Sequence, residues 1–141
     1  MRTSIAGHGF SVDLGDEWVV LEGWSDPSLQ RDHGVCLRHR DGLQMHVGGY
    51  GLASGTVDEL RAVLSEQNWA SAPFDEVVVV GATTMVSALF KMAPPWDVVL
   101  EGFVMNGRDV ANFAMPGQRE AVVAARAAAE TLARSVHFEA Q

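Results

Sequence analysis

Cysteine and basic residues are scarce in this sequence. Its 141 residues contain a single cysteine, Cys36, which excludes an internal disulfide and a CxxC pair for zinc binding or redox chemistry. Ten basic residues stand against eighteen acidic ones, so the formal net charge is -8. Nucleic-acid backbones and anionic lipid surfaces are recognised by basic patches. We therefore expect neither nucleic acid nor a membrane among the partners.

Long apolar runs are also missing. Stretches such as the valines at positions 77–80 are far shorter than the about 20 apolar residues that a membrane-spanning helix needs. The first ten residues, MRTSIAGHGF, hold one basic residue and no apolar run of signal-peptide length. We expect a cytoplasmic protein, and this expectation fails if a leader peptide was removed.

Hydrophobic periodicity and turn signals predict one α+β domain over residues 1–141, built on a mostly antiparallel sheet. Apolar alternation and short apolar runs predict strands at 9–14, 18–21, 35–40, 43–50, 74–80, 83–92, 96–105 and 109–115. Helical spacing of apolar residues predicts helices at about 57–69 and 118–134. The dipeptides Asp41-Gly42 and Asn106-Gly107 predict two-residue hairpin turns, because they tolerate the positive φ that such turns require.

Both predicted helices carry local signals. Thr56 and Glu59 form the pattern of a capping box, in which each side chain binds the backbone amide of the other residue. The last helix has one apolar stripe, formed by Val122, Ala125, Ala129, Leu132 and Val136. No glycine or proline separates this helix from the end of the sequence. We expect Val136 and Phe138 to hold the end of the helix against the sheet.

The strand predicted at 96–105 is apolar on both faces. Because side chains alternate along a strand, one face carries Val98, Leu100 and Val104, and the other carries Val99, Phe103 and Met105 together with Asp97 and Glu101. A sheet that is apolar on both faces must be covered on both. One helix can cover each face, and any remainder is left for a partner.

Four segments resemble the PsbP-like superfamily. Residues 9–18, GFSVDLGDEW, are similar to the "f-x-[VIF]-x-LP-x-x-W" start of that family, with Gly15 where the family usually has proline. A hairpin followed by one helix comes next, and then a meander that ends in the Asn106-Gly107 turn. The last helix enters Arg134-Ser135-Val136-His137-Phe138, which is similar to the family ending "xxSxxF". The resemblance covers nearly the whole chain.

The resemblance implies a fold and a type of function. It implies a central antiparallel sheet with helices on both faces, final residues that lie back against the sheet, and generally no catalysis. Relatives include extrinsic photosystem subunits, a Ran-binding import factor, DcrB-type bacterial proteins and the Eag-type chaperones of type VI secretion effectors. Their shared theme is protein binding. Among these relatives, the chain resembles the small bacterial DcrB- and Eag-type proteins most.

Catalytic and metal motifs are missing from the sequence. With a two-residue turn, Arg40 pairs with Leu43 and Leu37 with His46, which predicts that His39 and His46 share one face as solvated hairpin residues. Zinc requires three or four ligands, so two histidines predict no metal site, and we expect no cofactor. Strand parity predicts that Cys36 points away from both histidines and is a small core residue. We therefore expect that the protein is not an enzyme.

The main hypothesis is a non-enzymatic adaptor or chaperone-like domain that covers an apolar segment of another protein. Tryptophan and methionine are enriched at interfaces, and we select six candidate partner-binding residues: Trp24, Met92, Trp96, Phe103, Met105 and Phe113. The competing interpretation is that Trp24, Met92, Trp96 and Met105 are core residues. The alternative function is a small-molecule-binding protein or enzyme with a pocket between sheet and helix, using His39, His46 or Cys36.

The apolar faces of the meander also predict self-association. Large exposed apolar patches are rare on monomers, and a second copy related by a two-fold axis is a simple way to cover one. We expect a homodimer whose interface uses the 83–115 segment, with Phe90, Phe103 or Phe113 near its centre.

Overall fold

The computed structural model describes residues 2–5, 10–21, 35–51, 54–66, 74–81, 83–91 and 94–138 of the chain. Two helices and ten strands lie within these residues. In chain order they are β1 (Arg2–Ile5), β2 (Phe10–Asp13), β3 (Trp18–Val20), β4 (Val35–His39), β5 (Gln44–Gly51), α1 (Val57–Glu66), β6 (Phe74–Val80), β7 (Thr84–Lys91), β8 (Val98–Asn106), β9 (Asp109–Gly117), α2 (Arg119–Arg134) and β10 (His137–Phe138).

Seven strands form one antiparallel sheet in the order β3-β4-β5-β9-β8-β7-β6. The α+β class and the mostly antiparallel sheet are therefore confirmed. The hairpin predicted at Asn106-Gly107 is present. Asn106 pairs with Asp109 across the turn, and Gly107 has the positive φ, 60°, that such a turn requires. The β5–β9 pairing joins strands that are distant in sequence, and it places the first hairpin beside the meander.

A second, three-stranded sheet in the order β1-β2-β10 was not predicted. Its strand β1 is only four residues long, and the sequence RTSI has too little apolar alternation to indicate a strand. The last strand pairs with β2, with Phe138 opposite Phe10 and the two ring centroids 6.0 Å apart. Val136 and Phe138 pack against the main core, as the sequence predicts for the segment after α2.

One face of the seven-stranded sheet, here called the first face, is packed against α2. The predicted apolar stripe of α2 is confirmed, because Val122, Ala125, Ala129 and Leu132 are all buried. Small alanines let the helix axis approach the sheet closely. Packing is also close at Gly117, just before α2, where a β-carbon would lie 2.8 Å from Cδ2 of Leu43 and 3.0 Å from Cγ2 of Val122.

The opposite face of the sheet, here called the second face, is also apolar. Leu60 and Val57 of α1 cluster there with Val86, Phe103, Met105 and Val110. Farther along the same face Ala88, Phe90 and Val99 form a separate buried cluster. The alternation predicted for β8 is therefore confirmed: Val98, Leu100 and Val104 belong to the first-face core, and their neighbours belong to the second face.

The capping box predicted at the start of α1 is confirmed in part. The Thr56 hydroxyl accepts a hydrogen bond from the Glu59 amide at 3.1 Å, as a capping box requires. The Glu59 carboxylate accepts hydrogen bonds from the amides of Ser54 and Gly55 at 2.6 and 3.2 Å, and also from the Ser54 hydroxyl. It thus binds the turn that precedes the helix.

The register of the β4–β5 hairpin corrects the prediction by one residue. Cys36 pairs with His46, and Leu37 pairs with Met45. The His39 amide donates to the Leu43 carbonyl at 2.7 Å, so three residues, rather than two, connect the strands. A shift of one residue exchanges the faces of one strand relative to the other. His39 and His46 therefore lie on opposite faces, and Cys36 lies on the same face as His46.

Candidate functional site

Strand β6 forms one edge of the seven-stranded sheet, and β7 is its one strand neighbour in the described part of the chain. Four consecutive valines at positions 77–80 make up its second half. Their exposed fractions are 37 %, 41 %, 42 % and 78 % in chain order. We call these four residues the valine edge.

The valines project from both faces of the sheet. Val79 pairs with Met85, a first-face core residue, and Val78 pairs with Val86, a second-face core residue. The pairing with β7 runs without interruption from Val77 to Val80, and its one irregularity lies between Phe74 and Val77. The valine edge is thus a regular strand with apolar side chains on both sides.

Such an edge is unusual because exposed strand edges pair readily with other chains. Proteins commonly protect them with lysine, proline, bulges or very short strands, and none of these occurs within positions 77–80. The other edge, β3, has only three residues and is anchored by buried Trp18, although Val19 is 53 % exposed. The valine edge is therefore the longer apolar edge of this sheet.

The six residues selected from the sequence occupy different environments. Trp96 is 45 % exposed, and Trp24 and Met92 lie outside the described residues. Phe103, Met105 and Phe113 are 2 %, 4 % and 2 % exposed and belong to the core clusters. The core interpretation of Met105 is thus the one that the structure favours. Phe103, Met105 and Phe113, selected as candidate partner-binding residues, are buried within the chain and do not offer a surface to a partner.

The predicted centre of the homodimer interface is corrected for the same reason. Phe90, Phe103 and Phe113 are each 2 % exposed, so contacts within the chain already cover them. Sequence reasoning missed the valine edge because a run of four valines is typical of a buried central strand. Its position at the sheet edge depends on which strands pair.

His39 is buried, which corrects the expectation that it is solvated. Its side chain is 4 % exposed and contacts the ring of Trp18, with the centroids 4.9 Å apart. The Asp41 amide donates to Nδ1 of His39 at 3.3 Å, and Nε2 faces the Glu17 carboxylate at 3.5 Å. This histidine connects β3 with the β4–β5 turn, which is a structural role.

Cys36 and His46 lie in one row across the second face. The row follows the register from Ala88 through Glu101, Ala114 and His46 to Cys36. Cys36 and His46 are direct neighbours, which corrects the prediction that strand parity separates them. Burial raises the pKa of the Cys36 thiol to about 11. The thiol is therefore protonated at neutral pH and is a poor nucleophile.

The same row contains a buried carboxyl group. Glu101 is 3 % exposed, and burial raises its pKa to about 8. At neutral pH the carboxyl is therefore mostly protonated. Within the described residues, no group of three or more histidine, cysteine, aspartate or glutamate side chains is placed to hold a metal ion.

The space between the sheet and α2 is tightly filled at its centre. A void of about 10 Å³ lies there, lined by side chains that include Met85, Phe113 and Glu130, and it is no larger than one water molecule. Beside it Arg126 donates to Glu130 at 2.9 Å and to the carbonyl oxygen of Ser87 at 3.2 Å. The bond to Ser87 attaches α2 to β7. The void beside it is too small for a ligand.

Comparisons with known proteins identify the fold. No protein-family model and no curated protein matches the sequence. The structure is similar to the solution structure of cyanobacterial PsbP (CyanoP) from Synechocystis sp. PCC 6803, with a TM-score of 0.63 and 14 % sequence identity. The match covers 98 % of this chain and 91 % of that chain. At this identity the likeness shows a PsbP-like fold alone. No helix in the described ranges has the length and apolar character needed to span a membrane.

Proposed function

We propose that this chain is a non-enzymatic protein-binding domain, adaptor-like or chaperone-like, that adds an extended apolar segment of a partner protein to β6. The observation that carries the proposal is the valine edge, which exposes four consecutive valines at the edge of the sheet. Strand addition supplies main-chain hydrogen bonds for affinity, and side chains on alternate positions supply specificity. Valine suits this role because β-branched side chains pack well on a pleated surface.

Charge favours a particular kind of partner segment. The protein has a net charge of -8, and Glu76 is exposed next to the first valine of the edge. A segment with alternating apolar residues and basic ends therefore complements the edge better than an acidic one, because like charges that face each other across strands are destabilising. The basic ends also speed the encounter at low ionic strength.

Without a partner, we propose that β6 pairs with β6 of a second copy to form a homodimer. A two-fold axis through Val78 places Val77 opposite Val79 of the other copy, and it keeps each pair on the same face. Glu76 then lies opposite Val80 rather than opposite another carboxylate. The same strand is thus complementary to itself, as a symmetric dimer requires.

The test uses a peptide of sequence KVTVTVK, whose valines alternate and whose ends are basic. Titration followed by amide NMR should shift the β6 resonances most, and binding should protect β6 amides from hydrogen exchange. Val78→Lys should weaken binding at least about tenfold, because it places a charge in the paired strand. Light scattering should show that the same variant also forms less dimer than the wild type.

Two controls make the test specific. Val123 on α2 is 49 % exposed, so Val123→Lys makes the same exchange at a comparable exposed valine away from β6 and should bind the peptide normally. A peptide with proline at its central position cannot donate the ladder hydrogen bond there and should bind weakly. Equal binding by the wild type and Val78→Lys would refute the proposed function.

We further propose the finer features that the fold suggests. These are a DcrB- or Eag-type role in a bacterial cytoplasm and helical cover on both faces of the sheet. The contact of Leu60 with the second-face cluster supports the cover on that face. The acidic charge and the single cysteine, which is buried and free, suit a reducing cytoplasm. Hydrogen exchange at the second-face strands and cell fractionation test these two features.

A further inference from the structure

A cleft separates the turn between β2 and β3 from the last turns of α2. Its volume is about 170 Å³, which is similar to the about 150 Å³ of an apolar cavity that holds one benzene molecule. Its apolar walls are formed by Leu14 and Trp18 on one side and by Ala128 and Leu132 on the other, and Glu17 lines it as well. We call the space between these five residues the α2 cleft.

The α2 cleft has an apolar interior and a polar mouth. Leu14, Trp18 and Leu132 are 7 %, 5 % and 1 % exposed, whereas Asp13 and Thr131, which also line the cleft, are exposed. The helix leaves room here because Ala128 presents only a methyl group. A ligand therefore enters with an apolar end and keeps a polar end at the mouth.

Two hydroxyl groups at the mouth can only accept further hydrogen bonds. The Thr131 hydroxyl donates to the Ala127 carbonyl at 2.9 Å, and the Ser135 hydroxyl donates to the Leu132 carbonyl at 2.6 Å. The Ser135 oxygen also accepts from the Asp13 amide at 2.9 Å. Because a hydroxyl has a single proton, both groups present acceptor oxygens to a ligand. The polar end of the ligand must therefore be a donor.

The charge of the lining also favours a cation. Asp13 and Glu17 contribute carboxylates, and none of the described residues that line the cleft is basic. Glu17 lies 3.5 Å from Nε2 of His39 and 3.7 Å from Nη2 of Arg40. Both distances exceed the about 2.7 to 3.2 Å of a good N–H···O hydrogen bond, so the carboxylate can still accept a shorter one from a ligand. The carboxyl end of α2 adds a partial negative charge.

We propose that the α2 cleft binds a small organic cation in which a short linker joins an apolar ring to a primary ammonium group. The ring fills the apolar interior, where Trp18 supplies an aromatic wall. The ammonium stays at the mouth and donates to the Glu17 carboxylate and to Oγ1 of Thr131. The site does not depend on the valine edge, because β3 and β6 are opposite edges of the sheet.

The experiment titrates the full chain with 2-phenylethylammonium chloride and follows the amide resonances of Gly15 and Thr131 by NMR. The neutral analogue 2-phenylethanol should bind at least about threefold more weakly, as expected for the loss of a partly exposed ion pair. The anionic analogue 3-phenylpropionate should bind most weakly. Added salt should lower the affinity for the cation, because salt screens exposed charges.

A second titration distinguishes two sources of the same chemistry. The peptide FGG-amide joins a phenyl ring to an α-ammonium group, as the amino terminus of a protein can. Tighter binding of this peptide identifies the first residue of a protein chain as the natural ligand. Tighter binding of 2-phenylethylammonium identifies a free amine.

Two pairs of variants locate the bound cation. Ala128→Leu fills the cleft and should weaken binding at least about tenfold, whereas the same exchange at exposed Ala127 should leave binding unchanged. Alanine and leucine both favour helices, so both variants should fold. Glu17→Gln should weaken the cation about threefold and leave 2-phenylethanol unaffected. Glu120→Gln, which removes a charge from the first turn of α2, is its control.

Three results would overturn this proposal: equal binding of the cation by the wild type and Ala128→Leu, equal binding of the cation and 2-phenylethanol by the wild type, or no shift at Gly15 or Thr131 at about 50 mM cation. If Ala128→Leu does not fold, the comparison of the three phenyl compounds decides. Ala128→Leu should bind the valine-edge peptide KVTVTVK normally. Failure of the cleft is therefore distinguishable from failure of the proposed protein-binding function.

Discussion

Removing the segment after α2 should destabilise the whole fold, and its contacts allow the loss to be estimated. A chain that ends at Arg134 loses Val136 and Phe138, which are partly buried against the main core. It also loses the pairing of β10 with β2. The Ser135 hydroxyl, which accepts from the Asp13 amide at 2.9 Å, is removed as well.

The magnitude follows from these contacts. Full burial of a valine or phenylalanine side chain contributes about 1.5 to 3 kcal/mol, so two partly buried side chains contribute about half of the combined value. Each hydrogen bond adds about 1 kcal/mol. We expect the free energy of unfolding to fall by about 3 to 5 kcal/mol. For a domain of this size that lowers the melting temperature by about 10 °C or more.

Urea unfolding followed by far-UV circular dichroism measures this loss. The matched control is a chain that ends at Phe138, because it keeps all the contacts just described and should unfold near the parental midpoint. The urea midpoint of Phe138→Ala should lie between those of the two chains, since this variant loses the ring that packs on Phe10 and keeps the backbone pairing. If the chain ending at Arg134 unfolds at the parental urea concentration, the segment does not stabilise the fold and the reasoning fails.

The remaining predictions concern buried groups on the second face. The pKa of Glu101 is raised from 4.5 to about 8 on folding, so its stabilising contribution is complete below about pH 4.5. It is lost as pH rises to about 8, by at most about 1.4 kcal/mol per pH unit. Glu101→Gln should therefore show a flatter pH–stability curve in urea titrations, and an unchanged slope would contradict this. Cys36, with its thiol pKa raised to about 11, should react with a disulfide reagent at pH 8 about a hundredfold more slowly when folded than in urea. Cys36→Ser supplies the blank, and equal rates would show that the thiol is accessible.

Sequence patterns that extend over only a few neighbouring residues predicted most of the elements correctly. The period-two alternation of β8 assigned Val98 and Val99 to opposite faces, and the core clusters agree. The apolar stripe of α2 predicted its buried residues. The short segment after α2 also lies where the sequence predicts, because Phe138 is an apolar residue close to a helix that already packs on the core. Each of these features depends on side-chain spacing that the chain itself carries.

The placement of possible functional groups needed more than local pattern. The dipeptide Asp41-Gly42 indicated a hairpin, but the register depended on the hydrogen bond from the His39 amide to the Leu43 carbonyl. That one-residue difference buried His39 beside Trp18 and brought His46 next to Cys36. Because side chains alternate with a period of two, a small error in register reverses every assignment to a face.

The sequence alone therefore determined the fold class, the apolar character of both faces and the packing stripe of α2, since all of these depend on periodicity. Tertiary structure decided which strand is an edge and which groups meet across strands. Four consecutive valines predict a strand wherever they occur, but only the pairing order β8-β7-β6 leaves them at the border of the sheet. Likewise, Glu101 and His46 are 55 positions apart in sequence, and only the pairing of β5, β9 and β8 brings them into one row. Pairing between distant strands is a property of the whole chain, so no local pattern encodes it.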